Sequence, residues 1–166
     1  MSPAYAVLAL VVIERLAELL ISNRHTARLL AEGAVEVGAE HYRYFVLLHS
    51  AWLIAMFALV RPDTPLYWPP LALYILLSAA RAWVMTSLGR FWTTRVITVP
   101  NAPLVKRGPY RFMRHPNYAV VTGEVLVLPL VFGFWKVALI FTLLNLVLLR
   151  FRIRVENAAL ASRRAA

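Results

Sequence analysis

Long apolar runs separated by short charged segments organise this chain. The first run, residues 3–21, has the length of a membrane crossing, about 20 residues. It opens without a basic flank and carries Glu14, Arg15 and Glu18, so it predicts a retained helix and not a cleaved signal. A second run covers 44–60 and stops at Arg61-Pro62-Asp63-Thr64-Pro65, where the prolines disfavour further helix. A third covers 66–85. The last apolar stretch is too long for one crossing and is interrupted at Gly133-Phe134-Trp135-Lys136, which predicts two tightly joined helices over 118–132 and 136–150. The pattern as a whole predicts an all-α integral membrane protein: one domain over 1–166 with about five transmembrane helices, an insert between the third and fourth, and a helical C-terminal extension.

Composition strengthens the membrane reading. Of 166 residues, 61% are hydrophobic, against roughly 45–50% in ordinary soluble domains. The formal charge of +10, from 18 Lys+Arg and 8 Asp+Glu, sits in segments between the apolar runs. That placement makes membrane lipids the expected partner and gives no reason to invoke nucleic acid. Basic loops tend to stay on the cytoplasmic side. With the N-terminus outside, Arg24, Arg28 and Arg43, the basic residues from Arg90 to Arg114, and Arg150, Arg152, Arg154, Arg163 and Arg164 all fall inside, leaving Arg61 and Lys136 outside. The chain is thus expected in the cell membrane, with the insert and the C-terminus cytoplasmic. Zero cysteines exclude a disulfide framework, a thiolate nucleophile and a Cys-ligated metal, and no metal is expected. Between the first two spans, residues 23–40 space Arg24, Arg28, Glu32, Glu36 and Glu40 in a way that fits an interfacial amphipathic helix or a plain solvated face, with Gly33 and Gly38 working against the helix.

Candidate chemistry gathers in two places. The insert, LGRFWTTRVITVPNAPLVKRGPYRFMRHP, has a β-prone patch at 92–99 and ends where Pro116 starts the fourth helix and biases His115 away from helical geometry. The N–H groups at that helix start, with Arg111 and Arg114 beside them, form either a seat for a carboxylate or phosphate or a simple interface anchor. Past the fifth span, Arg152 and Glu156 lie four residues apart on one helix face. They can form a plain intrahelical pair or present both charges to a ligand.

Charges inside the spans need a reason, since one at mid-bilayer costs roughly 2.5–3.5 kcal/mol on insertion scales. Glu124 comes about 12 Å into the fourth helix at 1.5 Å per residue. Asn145 and Glu14 reach a similar depth, with Glu18 one turn nearer the cytoplasm and Arg81 near the inner end of the third helix. Two readings stand: a polar belt lining a substrate pocket, or a Glu–Arg–Asn network holding the helices together.

The run LVKRGPYRFMRHPNY, then two close-packed spans, then RIRVE, resembles the isoprenylcysteine carboxyl methyltransferase family of integral membrane enzymes over about the last 75 residues. Upstream, ERLAELLISNR, LLAEGAVEVGAEHY and LGRFWTTRVI are similar to a small bacterial branch that O-methylates alkylpyrones or alkylresorcinols made by type III polyketide synthases. The resemblance implies S-adenosyl-L-methionine as cofactor, held by segments 88–118 and 150–160. By position, Leu104, Val105, Tyr110, His115, Pro116, Asn117, Tyr118 and Glu156 would line its site, and Arg152 would face a lipophilic or prenylated acceptor that a polyketide synthase could supply. One position departs from the prenylcysteine enzymes: Ala102 stands where they carry a histidine. A guanidinium stays charged, so Arg152 can position an acceptor oxygen but cannot take its proton. A 4-hydroxypyrone would need no base, whereas a resorcinol phenol, with a pKa near about 10, would want one, for which Glu124 and Glu14 are the candidates. A nicotinamide-dependent membrane reductase, whose cofactor phosphate would suit Arg95, Lys106, Arg107 and Arg111, and a non-enzymatic lipid-binding module are the rival readings.

Overall fold

The computed structural model describes residues 2–100 and 102–161; Arg163 and Arg164 lie outside the described residues. Among the described residues there are five α-helices: α1 Pro3–Ala31, α2 Ala39–Leu59, α3 Trp68–Leu88, α4 Pro116–Val131 and α5 Trp135–Ala159. Each contains one of the apolar runs. α2, and α3 with the turn that follows it to Phe91, are long and apolar enough to cross a membrane by length and composition, and α4 is a shorter apolar helix. The surfaces of four helices are lined with aliphatic side chains that are more than half exposed: Leu10 and Ile13 on α1, Leu47 and Ile54 on α2, Ile75 and Leu76 on α3, Leu143 and Val147 on α5. Apolar surface that extensive is unfavourable in water and suits a hydrocarbon surround. α4 is the best-buried helix, with Val125, Val127, Leu128 and Val131 packed on Leu8, Val11, Trp52 and Met56 from α1 and α2.

Two sequence expectations change. α1 does not stop near residue 21, because Pro3 is followed by no glycine or proline until Gly33, whose φ of 86° ends the helix. The segment 23–40 is therefore not a separate amphipathic helix. Its first half completes α1, and its second half forms a two-residue strand, β1 Val35–Glu36, before Gly38 (φ 67°) leads into α2. The fold is all-helical apart from one short ladder, in which β1 pairs antiparallel with β2 Ile97–Thr98, placing Val35 opposite Thr98 and Glu36 opposite Ile97. The β-prone patch of the insert is the partner in that ladder.

The helices alternate in direction, so the start of α1, the end of α2, the start of α3 and the α4–α5 turn meet at one end. There the Tyr5 hydroxyl donates to the Val60 carbonyl at 3.0 Å and the Tyr67 amide to the Val131 carbonyl at 2.9 Å. The insert, the start of α4 and the last turns of α5 meet at the opposite end. At Gly108 (φ 57°) the chain passes so close to α3 that an added Cβ would lie 2.1 Å from the Ser87 Oγ and 2.9 Å from its Cβ. Gly108→Ala is expected to cost about 1–3 kcal/mol through strain and overpacking, read as a lower thermal midpoint of the detergent-solubilised protein.

Candidate functional site

The first turn of α4 faces the last turns of α5 at the insert end. Pro116 at the helix start, with no N–H to satisfy, leaves His115 as a flanking residue that makes no side-chain cap of its own. The His115 ring is instead stacked on Tyr118, with centroids 5.4 Å apart and planes 15° from parallel. Its Nε2 donates to Asn157 Oδ1 at 3.2 Å and its Nδ1 lies 3.5 Å from Glu156 Oε1. Tyr118 donates its hydroxyl hydrogen to Glu156 Oε2 and accepts from Arg152 Nε at 3.0 Å. Arg152 and Glu156 share a helix face but are not a simple pair: the Tyr118 hydroxyl, brought by α4, stands between them.

The Glu156 carboxylate is mostly buried. Burial works to raise its pKa, yet hydrogen bonds from His115 and Tyr118 and the nearby His115 and Arg152 charges outweigh that and hold it below the usual carboxylate range. Because that value lies below the unfolded one of about 4.3, the stability this group contributes is present above the unfolded value and lost as pH falls through the folded one. At Tyr110, burial and then the Glu156 charge push the phenol well above its usual range, so it remains a neutral donor.

These side chains wall a hollow that opens to solvent, with about 460 Å³ of empty space counting its mouth. Of the residues singled out from sequence, Tyr110, His115, Asn117, Tyr118, Arg152 and Glu156 line it. Leu104 and Val105 do not; they are half-buried in the extended stretch before the turn Gly108–Arg111, and Pro116 is buried beneath the start of α4. The far wall falls within the segment 88–118 expected to hold the cofactor, though its residues Leu88, Phe91, Trp92 and Thr93 were not singled out from sequence, and Arg114 stands at its edge. Trp92 is almost wholly buried, and its indole Nε1 and the Asn117 Oδ1 have no hydrogen-bond partner. The ionised Glu156 carboxylate suits a cationic group, and the unpaired indole donor and amide acceptor each cost about 1–3 kcal/mol as they stand.

Thr94 holds the wall in place and carried no sequence signal. Its amide donates to Ser22 Oγ at 2.8 Å, its hydroxyl is 2.8 Å from Ser22 Oγ and 3.1 Å from the Tyr42 hydroxyl, and its carbonyl accepts from Arg152 Nη2 at 2.6 Å. The His25 ring adds a bond to the Trp92 carbonyl at 2.8 Å. One short loop thereby joins α1, α2 and α5. The Arg152 guanidinium is further enclosed by the Phe45 and Tyr118 rings, at 5.1 and 5.6 Å from their centroids. Among the described residues, its Nη1 is the nitrogen left to a ligand.

The belt of charges within the spans is drawn together by ion pairs. Arg15 forks onto Glu124 at 3.1 and 3.2 Å, Arg81 bonds both Glu18 oxygens and reaches Glu124 at 3.1 Å, and Arg15 also lies 3.2 Å from Glu18. Two guanidiniums and two carboxylates thus pair with one another, leaving Arg15 Nε buried and unpartnered. Asn145 donates to Thr122 Oγ1 at 3.2 Å, and Glu14 reaches only Arg15, at 3.6 Å. None of Glu14, Glu18, Arg81, Glu124 or Asn145 lines this hollow. Glu18, Arg81 and Glu124 turn their polar atoms to one another, as a helix-tying network requires, whereas Glu14 is nearly half exposed and Asn145 Oδ1 is buried without a partner. Among the described residues, no three His, Asp or Glu side chains gather in a way that could hold a metal ion.

Apolar helix surfaces and a polar, aromatic-walled hollow at the insert end together suit a membrane enzyme. Residues 70–162 match the model of the isoprenylcysteine carboxyl methyltransferase family, and the chain belongs to that family, a class of membrane methyltransferases. Among its relatives, the uncharacterized protein YpbQ of Bacillus subtilis (strain 168) is 35% identical over 160 residues, covering 94% of this chain and 95% of its own. An uncharacterized protein of Haemophilus influenzae (strain ATCC 51907 / DSM 11121 / KW20 / Rd) is 26% identical over 152 residues, covering 89% and 88%. No solved structure matches the chain.

Proposed function

We propose that the protein transfers the methyl group of S-adenosylmethionine to an ionised oxygen of a lipophilic acceptor at the inner face of the membrane. In this reading all five helices cross the bilayer, with the N-terminus outside and the insert and C-terminus in the cytoplasm, as the bias of Lys and Arg favours. The observation that carries the proposal is the chain of contacts from His115 through Glu156 and Tyr118 to Arg152 on the wall of one hollow at the start of α4.

When bound, S-adenosylmethionine supplies a methyl group on a sulfonium, already activated for transfer. The protein's work is to hold, orient and exclude water. Glu156, kept ionised by its neighbours, would take the donor's ammonium. The first turn of α4, with Arg114 beside it, would take its carboxylate. Trp92 Nε1 and Asn117 Oδ1 offer one donor and one acceptor to the remaining polar groups, and the Tyr110 and Tyr118 rings offer faces to a cation. Arg152, fixed by Thr94 and Tyr118, would present Nη1 to the acceptor oxygen.

Alkylpyrones, alkylresorcinols and prenylcysteine carboxylates are the acceptor classes in view. With Glu14 and Glu124 engaged away from the hollow, neither carboxylate is at hand as a base for a phenol. This favours acceptors already ionised at neutral pH, such as a carboxylate or a 4-hydroxypyrone, over a resorcinol with a pKa of about 10. Calorimetric titration of the purified protein with S-adenosylhomocysteine and, separately, NADPH tests the reading. Saturable binding of the first alone is expected. Binding of NADPH without S-adenosylhomocysteine would replace the proposal with a reductase. Membranes supplied with labelled methyl donor and a panel of the three acceptor classes would then identify the product.

A further inference from the structure

Phe112 is the most exposed large apolar side chain among the described residues, at 75%, and Met113 beside it is about half exposed. Neither sits on an α-helix; they follow the turn Gly108–Arg111 and precede the start of α4. The turn is ordered: the Phe112 and Met113 amides both donate to the Pro109 carbonyl, at 3.1 and 3.3 Å, and Pro109 is buried. Arg111 and Arg114 flank the pair and are exposed, with the Arg111 guanidinium 5.8 Å from the Phe112 ring centroid. Helix lengths set the level of this turn. At the other end of the bundle Tyr67, Trp68 and Trp135 are exposed and Lys136 lies 5.6 Å from the Trp135 ring centroid, the composition of an aromatic interface belt. From that end α4, with 16 residues, rises only about 24 Å, short of a hydrocarbon core about 30 Å thick. α3, with 21 residues from Trp68, rises about 32 Å, and Gly108 packs against Ser87 in its last turn. The turn before α4 therefore lies where hydrocarbon gives way to headgroups.

We propose that this turn anchors the insert in the inner leaflet, with Phe112 and Met113 among the upper acyl chains and Arg111 on the phosphate of an anionic lipid. The inference rests on the membrane-spanning orientation given above and not on methyl transfer. A bilayer is the occupant that fits, because a phenyl ring and a thioether at this level leave water while the flanking guanidiniums keep their charge among the headgroups. Between Asp63 and Glu124 the chain has no acidic residue, so no carboxylate of the insert offsets Arg111 and Arg114, and an anionic surface attracts them. Because the turn is already held by Pro109, little backbone freedom remains to be lost on insertion. Arg114 and His115 line the hollow at the start of α4, so the anchored turn would hold the mouth of that hollow at the membrane surface.

Because the chain has no cysteine, single nitroxide labels can be placed at Phe112→Cys, at Ile54→Cys on the exposed apolar side of α2, and at Glu32→Cys beyond the end of α1. The labelled full-length proteins are set in nanodiscs of equal parts phosphatidylcholine and phosphatidylglycerol, and collisions with oxygen and with a water-soluble nickel chelate give the depth of each label. The label at 112 is expected about 5–10 Å inside the headgroup boundary, the depth of interfacial apolar groups, with position 54 deeper. Position 32 should lie in water, which also shows that the nitroxide does not insert by itself. Phosphatidylcholine alone, or Arg111→Gln, should raise chelate access at 112. With position 54 immersed in lipid, chelate access at 112 equal to that at 32 overturns the anchor, and a label at 112 shielded from both reagents replaces the bilayer with a protein partner. A depth at 112 that neither phosphatidylcholine alone nor Arg111→Gln changes overturns the role of the anionic headgroup. Chelate access at position 54 sinks the spanning orientation and the anchor together. S-adenosylhomocysteine binding by the native protein in the same nanodiscs decides the methyl-transfer reading separately, and its absence leaves the anchor standing.

Discussion

Arg152→Ala is expected to lower methyl transfer by about a hundred- to a thousandfold, the loss typical of removing one preorganised donor from a developing charge, while S-adenosylhomocysteine binding is largely kept. The reason lies in where the side chain is fixed. Arg152 donates to the Thr94 carbonyl and the Tyr118 hydroxyl, is enclosed between the Phe45 and Tyr118 rings, and walls the hollow. Alanine leaves the acceptor without a positioning cation, whereas the carboxylate proposed to hold the cofactor, Glu156, still has His115 and Tyr118 against it. Lysine should not restore turnover, because a point charge cannot reach Thr94, Tyr118 and a ligand at once as a planar fork does. Turnover with labelled methyl donor, set beside calorimetric binding, checks this. Unchanged turnover removes Arg152 from the mechanism.

A second large effect is expected from Arg81→Met, on folding and not on chemistry. Arg81 bonds Glu18 on α1 and Glu124 on α4 from its place on α3, and its side chain is only 8% exposed. Removing it leaves Arg15 alone to offset two buried carboxylates, and breaking a buried pair from one side costs about 3–5 kcal/mol. The variant should show a sharply lowered thermal midpoint and a low yield of folded protein. The double substitution Glu14→Gln with Glu124→Gln should be milder, and its folded molecules should turn over as the native protein does, because neither side chain lines the hollow at the start of α4. Native stability with lost turnover in these variants would return the belt to the substrate pocket.

These two expectations differ in how far the sequence already supported them. The helices were legible because runs of apolar letters near membrane length, stopped by Pro62, Pro65 and Gly133, are local signals. So was the unbroken passage of the fifth helix out to Glu156. The length of α1 was misjudged because charge at Arg24 and Arg28 ends an apolar run without ending a helix, which needs a breaker such as Gly33. The β1–β2 ladder is two residues on each side and joins positions about sixty apart, too short for periodicity to register. Thr94, Ser22 and Tyr42 are neutral side chains on separate elements, and only the fold makes them neighbours. Depth along the spans put Glu18, Arg81 and Glu124 at neighbouring levels, but depth alone could not tell a pocket lining from a closed ion cluster. That choice depends on which way each side chain turns. The Arg152 and Glu156 spacing placed two charges on one face, while the hydroxyl that joins them comes from Tyr118 on a neighbouring helix.

The most direct measurement is calorimetric titration of S-adenosylhomocysteine into the native protein and into Glu156→Ala. If the hollow at the start of α4 holds the methyl donor by its ammonium, the native protein binds and the variant loses about ten- to a hundredfold in affinity, the worth of a buried charge-assisted hydrogen bond. Equal affinity in the two proteins, with the variant folded, would contradict a donor site built on Glu156.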